Sequence, residues 1–229
     1  MRRLLAALLL LAAAPACAMD TAIITATHVA NGHAMLRLDD GREVALADIV
    51  IPADAPSLAQ FKGEEVTLQS LDTDRYGRLT AIVKPRGGRG QASIQETLLA
   101  QGEALTYSPT ALHQWDRWQP AEHEAEQNHR GWWATHGVTA PAQAQHRLQQ
   151  FVILEGRVTI ARETREAYEI RFDHDVTIKI PRAHWRAFDD TPTITTGTLI
   201  RARGTLISDH GPTLILTRPE QLEIQHANP

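Results

Sequence analysis

Residues 74–78 read Asp-Arg-Tyr-Gly-Arg and stand between two runs that have the pattern of β-strands. A charged turn with glycine fourth and arginine fifth places the guanidinium of Arg78 on a rigid hairpin. Such a group can hold a phosphate through two parallel hydrogen bonds. An arginine here also has a structural interpretation, because it can pin the hairpin through an ion pair or by packing its stem. Arg78 is therefore the first candidate for a functional side chain.

The strand signals around Arg78 predict a small β-barrel. Runs of alternating or β-branched residues are separated by short turns, the clearest of which contains the Asp-Gly pair at 40–41. The predicted strands cover residues 21–29, 34–38, 43–49, 63–71 and 79–84. Five short strands with tight turns are typical of small barrels. Helices are predicted at 93–101 and 120–130, and each is followed by a glycine.

A second set of strand signals begins at Phe151. The preceding residues 137–150 are rich in glutamine, contain Pro141 and predict a linker or a bridging helix. The later strands are predicted at 151–160, 168–172, 176–180, 199–207, 213–216 and 222–224. We therefore predict a mainly β protein with two small barrels, a helix-bearing one in residues 19–136 and a second in residues 151–229.

Several stretches resemble the staphylococcal nuclease (thermonuclease) family in their order and spacing. They include Val-Ala-Asn-Gly-His-Ala at 29–34, the turn at 74–78, Leu-Leu-Ala-Gln-Gly at 98–102 and Gly-Trp-Trp at 131–133. The resemblance implies an oligonucleotide-binding (OB) barrel packed by helices, and metal-assisted hydrolysis of phosphodiesters as the family activity. Residues 151–229 resemble an OB-type domain that is often appended to exported bacterial members, most clearly in Thr-Arg-Pro-Glu-Gln-Leu-Glu-Ile at 217–224.

Carried over by position, the resemblance implies a degenerate active site. The family's functional positions hold Asn31, His33 and Val50 for the three metal-binding aspartates, Ala45 for the first arginine and Ala53 for the glutamate. Arg78, which the resemblance implies as the one retained catalytic residue, and Tyr107 are the residues that match. Calcium, the metal of the family, needs several oxygen ligands, usually including carboxylates. Because its ligands are not retained, no cofactor is expected here, and Arg78 and Tyr107 are the candidate ligand-binding residues.

Nearby side chains offer a relocated metal site as an alternative. Asp48 precedes Val50 by two positions and would face the same side of an unbroken strand, while Asp54 follows the lost glutamate position. Together with Asn31 and His33 these carboxylates would suit a transition metal better than calcium. The other interpretation is that all of them are solvated turn and strand residues, which is the commoner situation for such side chains.

The first 18 residues have the pattern of a secretory signal. Arg2 and Arg3 precede an apolar run at 4–13, and small residues follow at 16–18. The run is too short to span a membrane. Cleavage after Ala18 predicts a periplasmic or secreted protein without a transmembrane segment in the mature chain. Cleavage before Cys17 would allow a lipid anchor instead, but Ala-Pro-Ala at 14–16 is a poor lipobox.

The charge of the chain disfavours strong, generic nucleic-acid binding. The formal net charge is −4, and removal of residues 1–18 takes away two arginines and no acid, which leaves 21 basic and 27 acidic residues and a charge of −6. Proteins that bind nucleic acid without sequence preference are usually basic, since phosphate neutralisation drives the affinity. Weak nucleic-acid binding and a protein or envelope partner therefore both remain open.

Aromatic and basic residues of the C-terminal strands are a last candidate for nucleic-acid binding. Tyr168 and Phe172 would stack on bases if they faced outward, and Arg201 and Arg203 would contact phosphates. Ile170 lies between the two aromatics at the same strand parity, so we expect all three side chains to pack in the core.

Together with the resemblance, the sequence predicts an exported nuclease-family protein with impaired catalysis that acts as a binding or scaffold module. The alternative is a residual metal-dependent phosphodiesterase acting on DNA or RNA.

Overall fold

The computed structural model describes residues 20–52, 58–73, 77–87, 92–108, 114–188 and 193–225. The predicted signal at 1–18, with Cys17, lies outside these ranges, and so do residues 53–57, with Ala53 and Asp54, and residues 74–76 of the charged turn. The predicted mainly β fold is confirmed. None of the described helices is long and apolar enough to cross a membrane.

The described residues of the N-terminal part form short strands and three α-helices. Its strands are β1 Asp20–Ala30, β2 His33–Leu38, β3 Glu43–Leu46, β4 Ile49–Val50, β5 Glu65–Thr73, β6 Leu79–Pro85 and β7 Leu105–Thr106. Its helices are α1 Ile94–Ala100, α2 Trp115–Gln127 and α3 Trp132–Thr135, with a 3₁₀ turn at Leu58–Phe61.

The predicted first barrel is present as a closed ring in the order β1-β2-β3-β6-β5. Alternation along β1 and β3 places Ile24, Val44 and Leu46 inside, where they are almost inaccessible to solvent. Helix α1 begins at a capping box, in which the Ser93 hydroxyl accepts from the backbone N–H of Glu96. Its fully buried Gln95 binds Ala81 O and Val83 N of β6. The helix is thereby fixed against the barrel.

In the N-terminal part, one strand and one helix differ clearly from the sequence prediction. The strand predicted at 43–49 is broken at Ala47 and Asp48, because Asp48 adopts a left-handed backbone with φ of 59°. Helix α2 begins at Trp115 rather than at Pro120. The side chain of Trp118 is buried in the barrel core, and this packing favours the additional turn over the proline signal.

The C-terminal unit, residues 151–225, encloses its own hydrophobic core. Its strands are β8 Phe151–Arg157, β9 Ile160–Glu163, β10 Ala167–Arg171, β11 Thr177–Pro181, β12 Leu199–Thr205, β13 Ile207–Ser208, β14 Pro212–Ile215 and β15 Leu222–Gln225. Two short 3₁₀ helices lie at Arg182–Phe188 and Pro219–Gln221.

The strands of the C-terminal unit form two hydrogen-bonded sheets around one core, where the sequence predicted a second barrel. One sheet has the order β13-β14-β11-β10-β9, and the other has the order β15-β12-β8. The strand predicted at 199–207 bends at buried Leu206, where it leaves one sheet and enters the other. Ile170 and Phe172 are buried and Tyr168 packs against this core, which confirms that these aromatics are packing residues.

Residues 137–150 are packed against the C-terminal unit. Thr139 pairs with β8 by accepting from Glu155 N and donating to Ile153 O, and Ala144 of the 3₁₀ helix Pro141–Arg147 is fully buried. The barrel and the C-terminal unit also share a small apolar cluster that contains Leu105, Trp132 and Ile153. The two parts are therefore in direct contact through buried side chains.

Charged side chains cross the same boundary. Arg203 of β12 is 4% exposed and binds Glu122 of α2 at 2.8 Å and Glu223 of β15 at 2.5 Å. Its neighbour Arg201 binds Glu126 of α2 at 3.0 Å. Glu122 and Glu126 are four residues apart and lie on one face of α2. The arginines proposed as nucleic-acid contacts are therefore partners of α2.

Candidate phosphate-binding cavity

A cavity of about 650 Å³ lies at one end of the barrel, beside the C-terminal unit. It brings together most of the site residues predicted from the sequence. These are Asn31, His33, Asp48, Arg78 and Tyr107. The volume is within the range of small-molecule sites, roughly 300–1,000 Å³.

Arg78 directly precedes β6 and lies exposed at the edge of the cavity. Its charge acts on the neighbouring strand β3. The hydrogen bond from Arg37 holds the pKa of the Glu43 carboxyl below its usual range, with smaller contributions from the charges of His28 and Arg78. A guanidinium with this position can form paired hydrogen bonds to an oxyanion that enters the cavity.

The three positions that the resemblance assigns to metal-binding aspartates are divided between two environments. Asn31 and His33 lie at the β1–β2 turn, and both line the cavity. Val50 is 8% exposed and packs in the apolar cluster at the boundary with the C-terminal unit. It lines a second groove of about 650 Å³ that adjoins the first and shares Asn31, His33 and Tyr107 with it.

Asp48 reaches the cavity for a reason other than the predicted one. The sequence argument placed it on the same side as Val50 of an unbroken strand, and this is wrong because the left-handed residue Asp48 interrupts the strand. The two side chains consequently lie in different places. Asp48 lines the cavity with only 6% of its surface exposed, and its carbonyl accepts the backbone N–H of Tyr107 at 3.0 Å.

Tyr107 connects the barrel to the C-terminal unit. Its ring meets that of Phe151 edge to face at 4.9 Å, and its hydroxyl is hydrogen-bonded to Gln221. Burial raises the pKa of the Tyr107 phenol above its ordinary value, against the smaller opposite effect of Gln221. The phenol is therefore protonated at neutral pH and can donate a hydrogen bond to a ligand in the cavity.

The cavity contains a second arginine that sequence reasoning missed. Arg218 enters from the loop before β15 of the C-terminal unit, whereas Ala45, at the position of the family's first arginine, contributes only a methyl group to the lining. In the sequence, the stretch around Arg218 indicates only a resemblance to an OB-type domain and not a binding site. Its signal is the pair Arg218-Pro219, but a single sequence does not show which distant cavity such a loop reaches.

The residues present do not fit a calcium ion. Within the described ranges, no group of three or more His, Cys, Asp or Glu side chains lies close enough to hold a metal. Asp54, the third residue of the relocated site, lies outside those ranges. Asn31 and Val50 replace carboxylates at two of the metal positions, and hard cations require such oxygen ligands.

Residues 53–135 match the sequence model of the family described as staphylococcal nuclease homologue. This part of the chain is similar to that family. The match begins after β4 and ends at α3, so the nuclease-homologue region contains Arg78 and Tyr107 but not the turn at Asn31. No curated protein matches the chain closely enough to count as a relative. The predicted resemblance to the nuclease family is confirmed over residues 53–135, and the OB-type resemblance of residues 151–229 stays a prediction.

Proposed function

We propose that this protein is an exported binding module of the staphylococcal nuclease family that has lost metal-dependent hydrolysis. The observation that carries the proposal is the content of the cavity. Arg78 and Tyr107 line it, while Asn31, His33 and Ala45 stand where the resemblance implies two metal ligands and an arginine. Groups that bind a phosphate are thus retained, and groups that hold a metal are replaced.

The retained groups support binding better than hydrolysis. A guanidinium and a protonated phenol both donate hydrogen bonds, and neither takes a proton from water at neutral pH. Removal of one donor to a transition-state oxyanion typically costs a factor of about 10²–10³ in kcat. Replacement of the metal ligands and the first arginine together removes much more than that.

A residual phosphodiesterase is the second candidate. His33 and Asp48 line the same cavity as Arg78, so an imidazole and a carboxylate are available beside the phosphate-binding arginine. Either group can serve as a metal ligand or a general base. This candidate depends on Asp54 as a further ligand, and it requires hydrolysis to depend on an added transition metal rather than on calcium.

Export is the second part of the proposal. Residues 1–18 have the composition of a signal, and Asp20, the second residue after the expected cleavage at Ala18, already lies in β1. Arg42 binds both carboxylate oxygens of Asp20, so the barrel is already held at that residue. We therefore include a periplasmic or secreted location in the proposal. A protein or envelope partner is compatible with the mature charge of −6. Lipidation at Cys17 would instead leave a membrane-attached protein.

A nuclease assay on purified protein tests the loss of hydrolysis. We expect no cleavage of single-stranded DNA, duplex DNA or RNA with calcium above the rate in a chelator, because the calcium ligands are replaced. Parallel samples with manganese and zinc test the residual phosphodiesterase. Product formation is followed by gel electrophoresis of end-labelled substrate.

The controls are Arg78→Ala, which removes an arginine that lines the cavity, and Arg37→Ala, which removes an exposed arginine of β2. Calcium-dependent cleavage that is abolished by Arg78→Ala and unaffected by Arg37→Ala would overturn the proposal. Cleavage that is equal in both variants does not originate in this cavity and leaves the proposal in place.

A further inference from the structure

We infer that the C-terminal unit supplies Arg218 as a second phosphate-binding residue, so that one ligand is held between the barrel and the C-terminal unit. This inference rests on the proposed function. It adds a residue that lies outside the region matching the nuclease family, and it names the class of ligand as a nucleotide of mononucleotide size.

The first observation is that arginines from both parts of the chain line the same cavity. Arg78 from the barrel and Arg218 from the C-terminal unit line the same space. Ala45 lies in that lining too, at the position where the resemblance implies an arginine of the barrel. The small side chain leaves room, and a guanidinium reaches the cavity from another part of the chain instead. Two arginines can hold different oxygens of one phosphate.

The loop that bears Arg218 is held in one conformation. Gln221 is 2% exposed, and its side-chain oxygen accepts from the backbone N–H groups of Thr217 at 2.7 Å and Arg218 at 2.9 Å. Pro219 follows and fixes its own φ. A preorganised loop loses less conformational entropy when a ligand binds, which favours a binding role for the side chain that it presents.

Gln221 also connects this loop to Tyr107. The same side chain that orders the Arg218 backbone is hydrogen-bonded to the hydroxyl of Tyr107. One residue before Tyr107, the carbonyl of Thr106 accepts from Arg203 at 3.0 Å. Gln221 and Arg203 therefore fix the C-terminal unit against the barrel segment that contains Thr106 and Tyr107. The position of Arg218 relative to the barrel is a consequence of these contacts.

The size and charge of the site favour a mononucleotide over a long strand. A cavity of about 650 Å³ accommodates a small molecule. A long polyanion would also meet the remaining surface, and the formal charge of −4 for the whole chain opposes such contact. The chemistry that fits is therefore a single phosphate ester between two guanidinium groups, with the remainder of the nucleotide in the cavity.

Isothermal titration calorimetry with adenosine 5′-monophosphate tests the inference, with adenosine as the ligand that lacks the phosphate. The proteins are the wild-type chain without residues 1–18, Arg218→Ala, Arg218→Lys, Arg78→Ala and Arg186→Ala. Arg186 is an exposed arginine of the same C-terminal unit that does not line the cavity. Thermal melts establish that each variant is folded.

We expect the wild type to bind the nucleotide and not adenosine. Arg218→Ala should weaken binding by about 10-fold or more, because a charge-assisted hydrogen bond to the phosphate is lost. Arg218→Lys should lie between the two, since it keeps the charge without the planar fork. Arg186→Ala should bind like the wild type, and this result excludes a general effect of net charge.

Three results would overturn the inference in distinguishable ways. If Arg78→Ala loses binding while Arg218→Ala does not, the cavity binds phosphate through the barrel alone and the proposed function stands. If Arg186→Ala weakens binding as much as Arg218→Ala, the effect is one of overall charge. If the wild type does not bind the nucleotide, the inference that Arg78 and Arg218 hold one nucleotide is wrong. The proposed loss of hydrolysis is unaffected by that result, because the nuclease assay tests it separately.

Discussion

Replacement of Arg203 by alanine is expected to lower the free energy of unfolding by about 3–5 kcal/mol, because it leaves buried carboxylates without their partner. Arg203 is 4% exposed, and its guanidinium binds Glu122 of α2, Glu223 of β15 and the carbonyl of Thr106. The side chain of Glu122 is itself 5% exposed. Removal of the arginine therefore strands a carboxylate that water does not reach.

The Arg203 guanidinium stays protonated although it is buried. Burial alone would lower the pKa of Arg203, but the carboxylates of Glu122 and Glu223 raise it, and their contribution is the greater. The loss of stability in Arg203→Ala should therefore come from the loss of this positively charged partner. It should also loosen the contact between α2 and the C-terminal unit, because Arg203 is bound to both.

Urea unfolding followed by tryptophan fluorescence measures this change. The matched control is Arg37→Ala, whose ion pair with Glu43 is on the surface and leaves the Arg37 side chain 59% exposed. Exposed pairs of this kind contribute about 0–1 kcal/mol. A loss in Arg203→Ala no larger than in Arg37→Ala would contradict the assignment of a buried, structurally required ion pair.

Local patterns in the sequence were sufficient to predict the barrel strands. Alternation of apolar and polar residues identifies a half-buried strand without knowledge of its partners, and β1, β2 and β6 lie close to their predicted positions. The packing of Ile170 and Phe172 was predicted in the same way, from their shared strand parity. These predictions succeeded because the signal is contained in a few adjacent residues.

The contacts between the barrel and the C-terminal unit could not be predicted in this way. Alternating arginines at 201 and 203 are typical of a solvated strand face, yet these side chains face α2. The complementary spacing of Glu122 and Glu126 is visible in the sequence, but nothing local relates a helix to a strand some 80 residues later. Arg218 escaped prediction for the same reason, since its role depends on which cavity its loop reaches.

Asp48 shows a different limit. Its place in the cavity depends on one left-handed residue, and an alternating strand pattern gives no sign of such a break. Aspartate tolerates this conformation better than most residues because its short polar side chain can hydrogen-bond locally. Asp48 therefore lines the cavity, but the geometry that was used to select it was wrong.

Gly102→Ala is expected to destabilise the protein by about 2–5 kcal/mol, through left-handed backbone strain and overpacking. Gly102 follows α1 with φ of 71°, and a Cβ placed on it would lie 2.2 Å from the carbonyl oxygen of Arg130. No L-residue can occupy that space unless the backbone moves. The carbonyl of Gly102 also accepts the N–H of Trp132 at 2.8 Å. A backbone shift at Gly102 would therefore also disturb the contact between the end of α1 and the start of α3.

Gly63→Ala separates the two causes. Gly63 also has a left-handed backbone, with φ of 89°, but a Cβ there would have no atom within 4 Å. It should cost about 1–2 kcal/mol, the strain alone, and the excess in Gly102→Ala is then the cost of the close approach. Equal losses in urea unfolding would show that this approach is not tight.

A larger loss at Gly102 has a consequence for the cavity, because Gly102 lies only a few residues before β7 and Tyr107, and the contact with Trp132 fixes the start of that segment. The glycine thus contributes to the site without touching it, since the chain that it anchors leads directly to the phenol and to the bond with Gln221.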